Sequence, residues 1–318
     1  MSDAVAVQIQ DSLTDDDIAA VVHLVDRCTE QDGMRPLSEH VWLHLKQGGD
    51  EEDMHVLARD AAGDVVAYAH LDPTDLVEGA SAEIAVDPRH RRQGLGRHLV
   101  ETLLTASPDG RLRLWAHGEQ AGATELATRL GFTRARTLWQ MRRSLYAPLP
   151  RAIVPPGVEL RHFRVGTDEE AWLDLNRRAF AHLPDQGGWQ RSDLEMRTRE
   201  PWFSPEGFLM AWRMDRLIGF HWTKVHGDHA AAVESPALDG APGEHRHPAI
   251  GEVYVVGVDP QERGTGLGRA LTLAGLHHLR SRDLSQAMLY VDASNLPAIR
   301  LYEGLGFARW DTDVLFRR

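Results

Sequence analysis

The sequence predicts an α/β chain of two tandem domains, each a mixed sheet with helices packed on it. Three observations carry this. A strand–glycine loop–helix frame occurs twice, the elements around it follow in the same order in both halves, and a proline-rich joint separates them. The first frame is Val86-Asp87-Pro88-Arg89-His90-Arg91-Arg92-Gln93-Gly94-Leu95-Gly96-Arg97, and the second is Val258-Asp259-Pro260-Gln261-Glu262-Arg263-Gly264-Thr265-Gly266-Leu267-Gly268-Arg269. Every shared position lies at a constant offset (Gly94 against Gly266), which chance does not give.

In each frame a β-branched run reads as a buried strand (Ile84, Ala85 and Val86; Val256, Gly257 and Val258). Asp-Pro breaks the strand, and an Arg-x-x-Gly-x-Gly loop opens a helix, in the second half over about Gly268 to His278. Glycines let the main chain approach a bulky anion, and the helix N-terminus offers unpaired N–H groups and a favourable dipole. The frame is therefore a pyrophosphate cradle. Its spacing fits neither the dinucleotide nor the nucleoside-triphosphate fingerprint.

The remaining elements follow from the second copy. Residues 14–28 and 167–181 read as opening helices, capped by Thr14 and Thr167 before acidic first turns. Strands His55–Arg59 and Val65–Leu71 make a hairpin around Ala61-Ala62-Gly63-Asp64, matched by Phe208–Arg213 and Leu217–Val225 around Met214-Asp215-Arg216. After each loop helix come a strand (Arg111–Ala116; Ala287–Val291), a short helix ending in Leu-Gly-Phe, and a last strand. On the second loop helix, Leu271, Ala274 and Leu279 form a core stripe. Residues 147–157 carry four prolines and read as a stiff linker, so the expected domains are 1–146 and 158–318.

Length and composition suit two globular domains: 318 residues, 42% hydrophobic, 26% charged. No apolar run approaches a membrane span, and the acidic N-terminus lacks the layout of a signal peptide, so a cytosolic protein is expected. The lone Cys28 cannot form an internal disulfide and reads as buried filler. A net charge of −12 opposes non-specific nucleic-acid binding, and an anionic ligand must then be held by local donors. The stretch from His226 to Ile250 holds His226, His229, His245 and His247 with Asp228 and Glu244, but in no ligand spacing. It reads as a surface loop, and no metal is expected. His277 and His278 read as ordinary surface.

These residues resemble the GNAT acetyltransferase superfamily, whose acetyl-CoA site is a strand, this glycine loop and a helix N-terminus. The closing stretch from Leu289 to Phe307 also resembles that superfamily's final strand and helix, two motifs in the right order and spacing. The finer resemblance is to tandem members that acetylate the cysteinyl amine of a cysteine–glucosamine–inositol conjugate. It rests on Pro36-Leu37-Ser38-Glu39, Trp115-Ala116-His117-Gly118, Gln140-Met141-Arg142-Arg143, Pro184-Asp185-Gln186-Gly187-Gly188-Trp189, the run from Gly219 to His226, and Gly251-Glu252-Val253-Tyr254-Val255. The resemblance implies that acetyl-CoA is the co-substrate and a small-molecule amine the acceptor. For the cofactor it implies Ile84, Ala85, Val86, Arg92, Gln93, Gly94, Leu95, Gly96 and Arg97 in the first half. In the second it implies Val256, Gly257, Val258, Arg263, Gly264, Thr265, Gly266, Leu267, Gly268 and Arg269, with Asn295, Leu296, Pro297, Ala298, Ile299 and Arg300 of the final helix. Positions matching Glu39, Asp185, Lys224, Glu252 and Tyr290 face the acceptor in those tandem enzymes.

Amine acetylation needs a neutral amine, a polarised thioester carbonyl and a stabilised leaving thiolate. Glu252 and Tyr302 supply a carboxylate on the strand and a hydroxyl on the final helix. At constant offset Glu252 meets Ala80, while Glu83 is three residues off that register and faces the other way. With the Leu-Gly-Phe segments aligned, Tyr302 meets Ala127, Asn295 meets Gln120 and Tyr290 meets Trp115. The first half thus keeps the cofactor loop without either proton-transfer group, and the second half is expected to be catalytic. Asn295, Ile299 and Tyr302 share one face of the final helix, with Asn295 as its N-cap. Transfer to another amine, such as an aminoglycoside or a peptide N-terminus, and an acetyl-CoA sensor without turnover are the alternatives. A monomer is expected.

Overall fold

The computed structural model describes residues 5–47, 53–75, 79–107, 109–181, 183–226 and 249–318. Among them no helix is long and apolar enough to cross a membrane. The chain forms two compact units. One holds residues 1–139, 292–294 and 311–318, and the other holds 140–291 and 295–310. The division departs from the expected domains at their ends: the last strand of each half is divided, so residues 140–146 belong to the second unit and the C-terminal residues to the first. The proline-rich joint is irregular, and its carbonyls are tied within the second unit. Leu145 O and Ala147 O accept from Arg280, and Pro150 O accepts from His277.

In the first half the elements are β1 (Ala6–Gln10), α1 (Asp15–Asp32), α2 (Glu39–Gln47), β2 (Met54–Arg59), β3 (Val65–Asp72), β4 (Ala80–Val86), α3 (Leu95–Ala106), β5 (Leu112–Ala116), α4 (Ala121–Arg129) and β6 (Thr133–Ser144). Strand order in this unit runs β1-β2-β3-β4-β5 and then the C-terminal strand, antiparallel except for the parallel β4–β5 pair. α1 begins where expected: Thr14 accepts from Asp17 N, and Asp17 reaches back to the Thr14 backbone, a complete capping box. Val21, Leu24 and Val25 of α1 pack on one face of the sheet with Cys28, which is fully buried as filler. Leu99, Val100 and Leu103 of α3 cover the other face.

The second half comprises β7 (Glu159–His162), α5 (Glu169–Ala179), α6 (Pro184–Gly187), α7 (Arg191–Thr198), β8 (Phe208–Arg213), β9 (Arg216–His226), β10 (Ile250–Val258), α8 (Leu267–Ser281), β11 (Gln286–Asp292), α9 (Leu296–Glu303) and β12 (Ala308–Arg317). Here the order is β6-β11-β10-β9-β8-β7, with β10–β11 the parallel pair. The expected cap Thr167 is displaced by Asp168, whose carboxylate accepts from Arg161 and Arg164 and from the Arg164 backbone N–H. That ion-paired anchor fixes the helix start one residue later.

One sheet face carries α5 and α7 over an aromatic core of Trp172, Phe208, Phe220 and Trp222. The other face takes α8. Leu271 and Leu279 are buried as expected, but Ala274 is only half-buried, and Gly275 occupies the contact instead. A Cβ on Gly275 would meet the His221 ring at 2.0 Å. The glycine lets α8 lie against that buried imidazole, whose Nδ1 donates to Leu271 O at 2.7 Å.

Candidate active site

Each glycine loop begins where an aspartate stops a strand. Asp87 Oδ1 accepts from Arg89 N, and Asp259 Oδ1 from Gln261 N, each capping one turn of 3-10 helix. The loop then needs left-handed backbone. Gly264 and Gly266 have φ of +80° and +86°, and Gly266 is the N-cap of α8. In the first unit Gly94 caps α3 at φ +92°, but the counterpart of Gly264 is Arg92, held at φ +63°. A non-glycine residue there stores backbone strain of about 1 kcal/mol or more. The loop shape is kept in spite of it.

The charges around the two loops differ. Among the described residues Arg263, Arg269 and Arg300 make no ion pair, and all three are exposed. In the first unit Arg91 is gripped by Asp32, Arg92 by Glu125 and Arg97 by Glu101. With the Leu-Gly-Phe segments aligned, Glu125 is the counterpart of Arg300, a reversal of charge. α9 starts as expected, with Asn295 Oδ1 accepting from Ala298 N at 3.2 Å, Pro297 in the first turn, Leu296 exposed and Ile299 buried.

The strand before the second loop contains a feature absent from the alternation of residues. β10 pairs with β9 through Glu252–Lys224 and Val253–Thr223, then resumes at Val255–Trp222, so Tyr254 is an inserted bulge residue. β4 pairs with β3 without interruption. β10 also meets β11 only over Gly251–Val253, leaving Tyr254–Val258 splayed from its parallel neighbour, with Val256 and Val258 half-buried along the opening. Splayed strands ahead of an open helix N-terminus make room for a chain-like thioester with its phosphates at the loop.

The bulge shifts the correspondence of the two halves. Gly251 pairs with Ala287 and Ala80 with Leu112, so the strand partner of Glu252 in the first unit is Ser81, not Ala80 as constant offset gives. By the same ladders Lys224 corresponds to Asp72, where the first unit's ladder ends, so the position of His226 has no strand counterpart there. The first unit still has no carboxylate at the position of Glu252. Glu83 is two residues beyond Ser81 and so shares its strand face, not the opposite face that the constant offset gives; it is buried, accepting from the Ser38 backbone and lying 3.5 Å from His117.

Lys224, Glu252 and Tyr290 share one face across β9, β10 and β11, because Glu252 is opposite both Lys224 and Met288, and Tyr290 is two residues beyond Met288. Glu252 is buried, and its Oε2 lies 2.6 Å from His226 Nε2. The Lys224 ammonium lies over Trp202 and Tyr254, 4.6 and 5.4 Å from the ring centroids. Tyr254 in turn accepts from Arg197 Nε at 2.8 Å, and Arg197 stacks 3.9 Å above Trp189. Tyr290 is partly exposed and accepts from Gln140 Nε2 at 2.8 Å. Tyr302 is half-buried against Phe307, and burial pushes its hydroxyl up to about 12.

Glu39, in the other unit, is the first residue of α2 and half-buried. Asp185 stands in the one-turn α6, not in the loop expected for it, and its side chain lies outside the described residues, as do His229, His245, His247, Asp228 and Glu244. His226, Tyr254 and Arg197 were not expected at the site. The first unit also contains a buried cluster, His44, Asp53 and His70, whose potential ligand atoms lie within 4.8 Å of one another. Asp53 accepts from His44 Nδ1 at 2.7 Å; burial opposes its charge, but the two histidines hold it well below the usual carboxylate range.

The family model for the acetyltransferase (GNAT) family matches residues 18–132 and 170–307. The chain belongs to the GNAT family. A mycothiol acetyltransferase of Streptosporangium roseum is 50% identical, covering 98% of this chain and 99% of its own. One of Acidothermus cellulolyticus is 55% identical over 94% and 90%. Among solved structures, a tandem GNAT protein from the clavulanic acid biosynthesis pathway superposes with a TM-score of 0.72 at 18% identity, covering 99% of this chain and 98% of its own. This GNAT chain therefore matches tandem relatives from end to end, and both of its glycine loops lie within the matched segments.

Proposed function

We infer that the chain is a mycothiol acetyltransferase, moving the acetyl group of acetyl-CoA to the cysteinyl amine of the cysteine–glucosamine–inositol conjugate and giving mycothiol and CoA. The observation that carries this is full-length identity of about half to relatives of that name, with an amine-acetylation constellation in the second repeat. That repeat, residues 158–318 in sequence, is the catalytic one, and the first, residues 1–146, is a non-catalytic domain with a cofactor loop.

Arg263, Gly264, Thr265, Gly266, Leu267, Gly268 and Arg269 would hold the pyrophosphate, with Arg300 and the start of α9 beside the pantetheine arm. Supporting this, the loop has the left-handed turns an anion requires and arginines that make no ion pair among the described residues. Val256, Gly257 and Val258 line the splay. The bulge at Tyr254 frees backbone N–H groups from the ladder, suited to polarising the thioester carbonyl. Glu252 takes the proton of the acceptor ammonium, directly or through water. Lys224, Tyr290 and Asp185 would orient the sugar and amino-acid parts, and direct transfer follows in a ternary complex. Tyr302 donates a hydrogen bond to the departing sulfur. With its hydroxyl near 12 and an ordinary thiol near about 8.5, the proton stays mainly on oxygen, so the hydroxyl stabilises the thiolate.

Steady-state thiol release from acetyl-CoA, with the intact conjugate against glucosamine, cysteine and aminoglycosides, tests the assignment. Selectivity for the conjugate supports it. Release with other amines alone transfers the site to another acceptor, and no release with any of them leaves the sensor reading.

A further inference from the structure

We propose that His226 is the positioning residue of the catalytic carboxylate, donating its Nε2–H to Glu252 Oε2 and leaving the other oxygen to receive the amine proton. The proposal rests on the reading of Glu252 as the base, and adds the group through which that base is held. Its geometric ground is the 2.6 Å contact between the two side chains, set by strand pairing. His226 is opposite Ile250 in the β9–β10 ladder, one step from the Lys224–Glu252 pair, so both histidine and lysine fall on the carboxylate's face.

Two nitrogen-bearing side chains flank Glu252 on that face, but they differ in where they point. Lys224 extends its ammonium over the rings of Trp202 and Tyr254. The imidazole points at the carboxylate and reaches solvent: the His226 side chain is 35% exposed, against 9% for Glu252. A carboxylate buried to that degree needs directional donors to hold one rotamer. At 2.6 Å the nitrogen on the carboxylate must carry hydrogen, since two lone pairs would repel, so Nε2 is the donor. In the first unit the β3–β4 ladder ends at Asp72–Ser81, which matches Lys224–Glu252; Thr74, two residues past its end, turns its hydroxyl and backbone N–H to Asp72. Donor and carboxylate are therefore both missing where no base is expected.

The test is a double-mutant cycle on the full-length enzyme, with CoA release from acetyl-CoA and the conjugate as the readout and acetyl-CoA affinity and thermal unfolding measured alongside. His226→Leu is expected to lower kcat about 10- to 100-fold, part of what general-base catalysis contributes, with the KM for acetyl-CoA unchanged. His226→Gln, whose amide nitrogen can take the place of Nε2, should recover most of the loss. In a Glu252→Gln background, His226→Leu should cost nothing further, because the two act as a unit. Full kcat in His226→Leu, equal losses in the leucine and glutamine variants, or additive losses across the cycle would each overturn the proposal. Wild-type turnover that survives Glu252→Gln would instead remove the base assignment itself, an outcome visible in the same cycle.

Discussion

The two repeats share a strand, an aspartate stop, a glycine loop and a helix, and they differ in what surrounds that frame. In the second, the loop arginines stand free among the described residues, β10 is bulged, and Glu252 lies between Lys224 and His226. In the first, the loop arginines are neutralised by Asp32, Glu125 and Glu101, β4 is regular, and Asp72 and Ser81 occupy the places of Lys224 and Glu252. Its ionisable groups are instead buried in structural networks, Glu83 with His117 and Asp313, and His44 with Asp53. The difference teaches that the loop frame can be kept while the charges and strand residues around it change.

Apart from the carboxylate itself, the largest effect expected from breaking this contrast is at Tyr302. Tyr302→Phe should lower kcat about 100-fold with little change in the KM for acetyl-CoA, since only the developing thiolate loses a donor. The aligned Ala127 in the first unit offers no such group, and Ala127→Ser should leave kcat within about twofold. Stopped-flow thiol release measures both.

Cofactor binding sharpens the comparison next. Calorimetry with acetyl-CoA should show two sites per chain, the weaker in the first unit. Arg300→Glu should weaken the tighter site by about 5- to 10-fold and Glu125→Arg should strengthen the weaker one by a similar factor, both less at high salt. A single site in the wild type would remove the first loop from the account.

Packing gives a third contrast. Gly275→Ala places a methyl against the His221 ring and should destabilise the second unit by about 1–3 kcal/mol, read as an earlier unfolding transition.

The smallest effect is one of pH. Burial opposes the His117 charge, but the hydrogen bond to Asp313 and the Glu83 carboxylate 3.5 Å away prevail and push it up to about 10. A folded value above the unfolded one, about 6.5, gives stabilisation that is complete below the unfolded value and lost as pH rises through about 10. Thermal unfolding of the first unit should therefore weaken between those limits, and His117→Gln should flatten the dependence.

Much of this was legible in the sequence because it is local. Glycines at fixed offsets announced both loops, and Thr14 and Asn295 announced their helices. What escaped is non-local. The Tyr254 bulge leaves no mark in a run of Val and Tyr, yet it moves the partner of Glu252 from Ala80 to Ser81. Asp168 displaced Thr167 as a cap because two arginines from outside the helix hold it. His226 was set aside with the irregular stretch after it, although it ends a strand. His44, Asp53 and His70 come together only when α2, β2 and β3 pack, so no ligand spacing signals them.

The most direct test of the central claim is steady-state CoA release from acetyl-CoA and the conjugate by Glu252→Gln and Glu83→Gln, each isosteric and each scored per folded molecule. The account predicts that Glu252→Gln loses at least about 100-fold in kcat while Glu83→Gln retains turnover and loses only stability. Retained turnover in Glu252→Gln, with the loss falling on Glu83→Gln, would place the chemistry in the first repeat and contradict it.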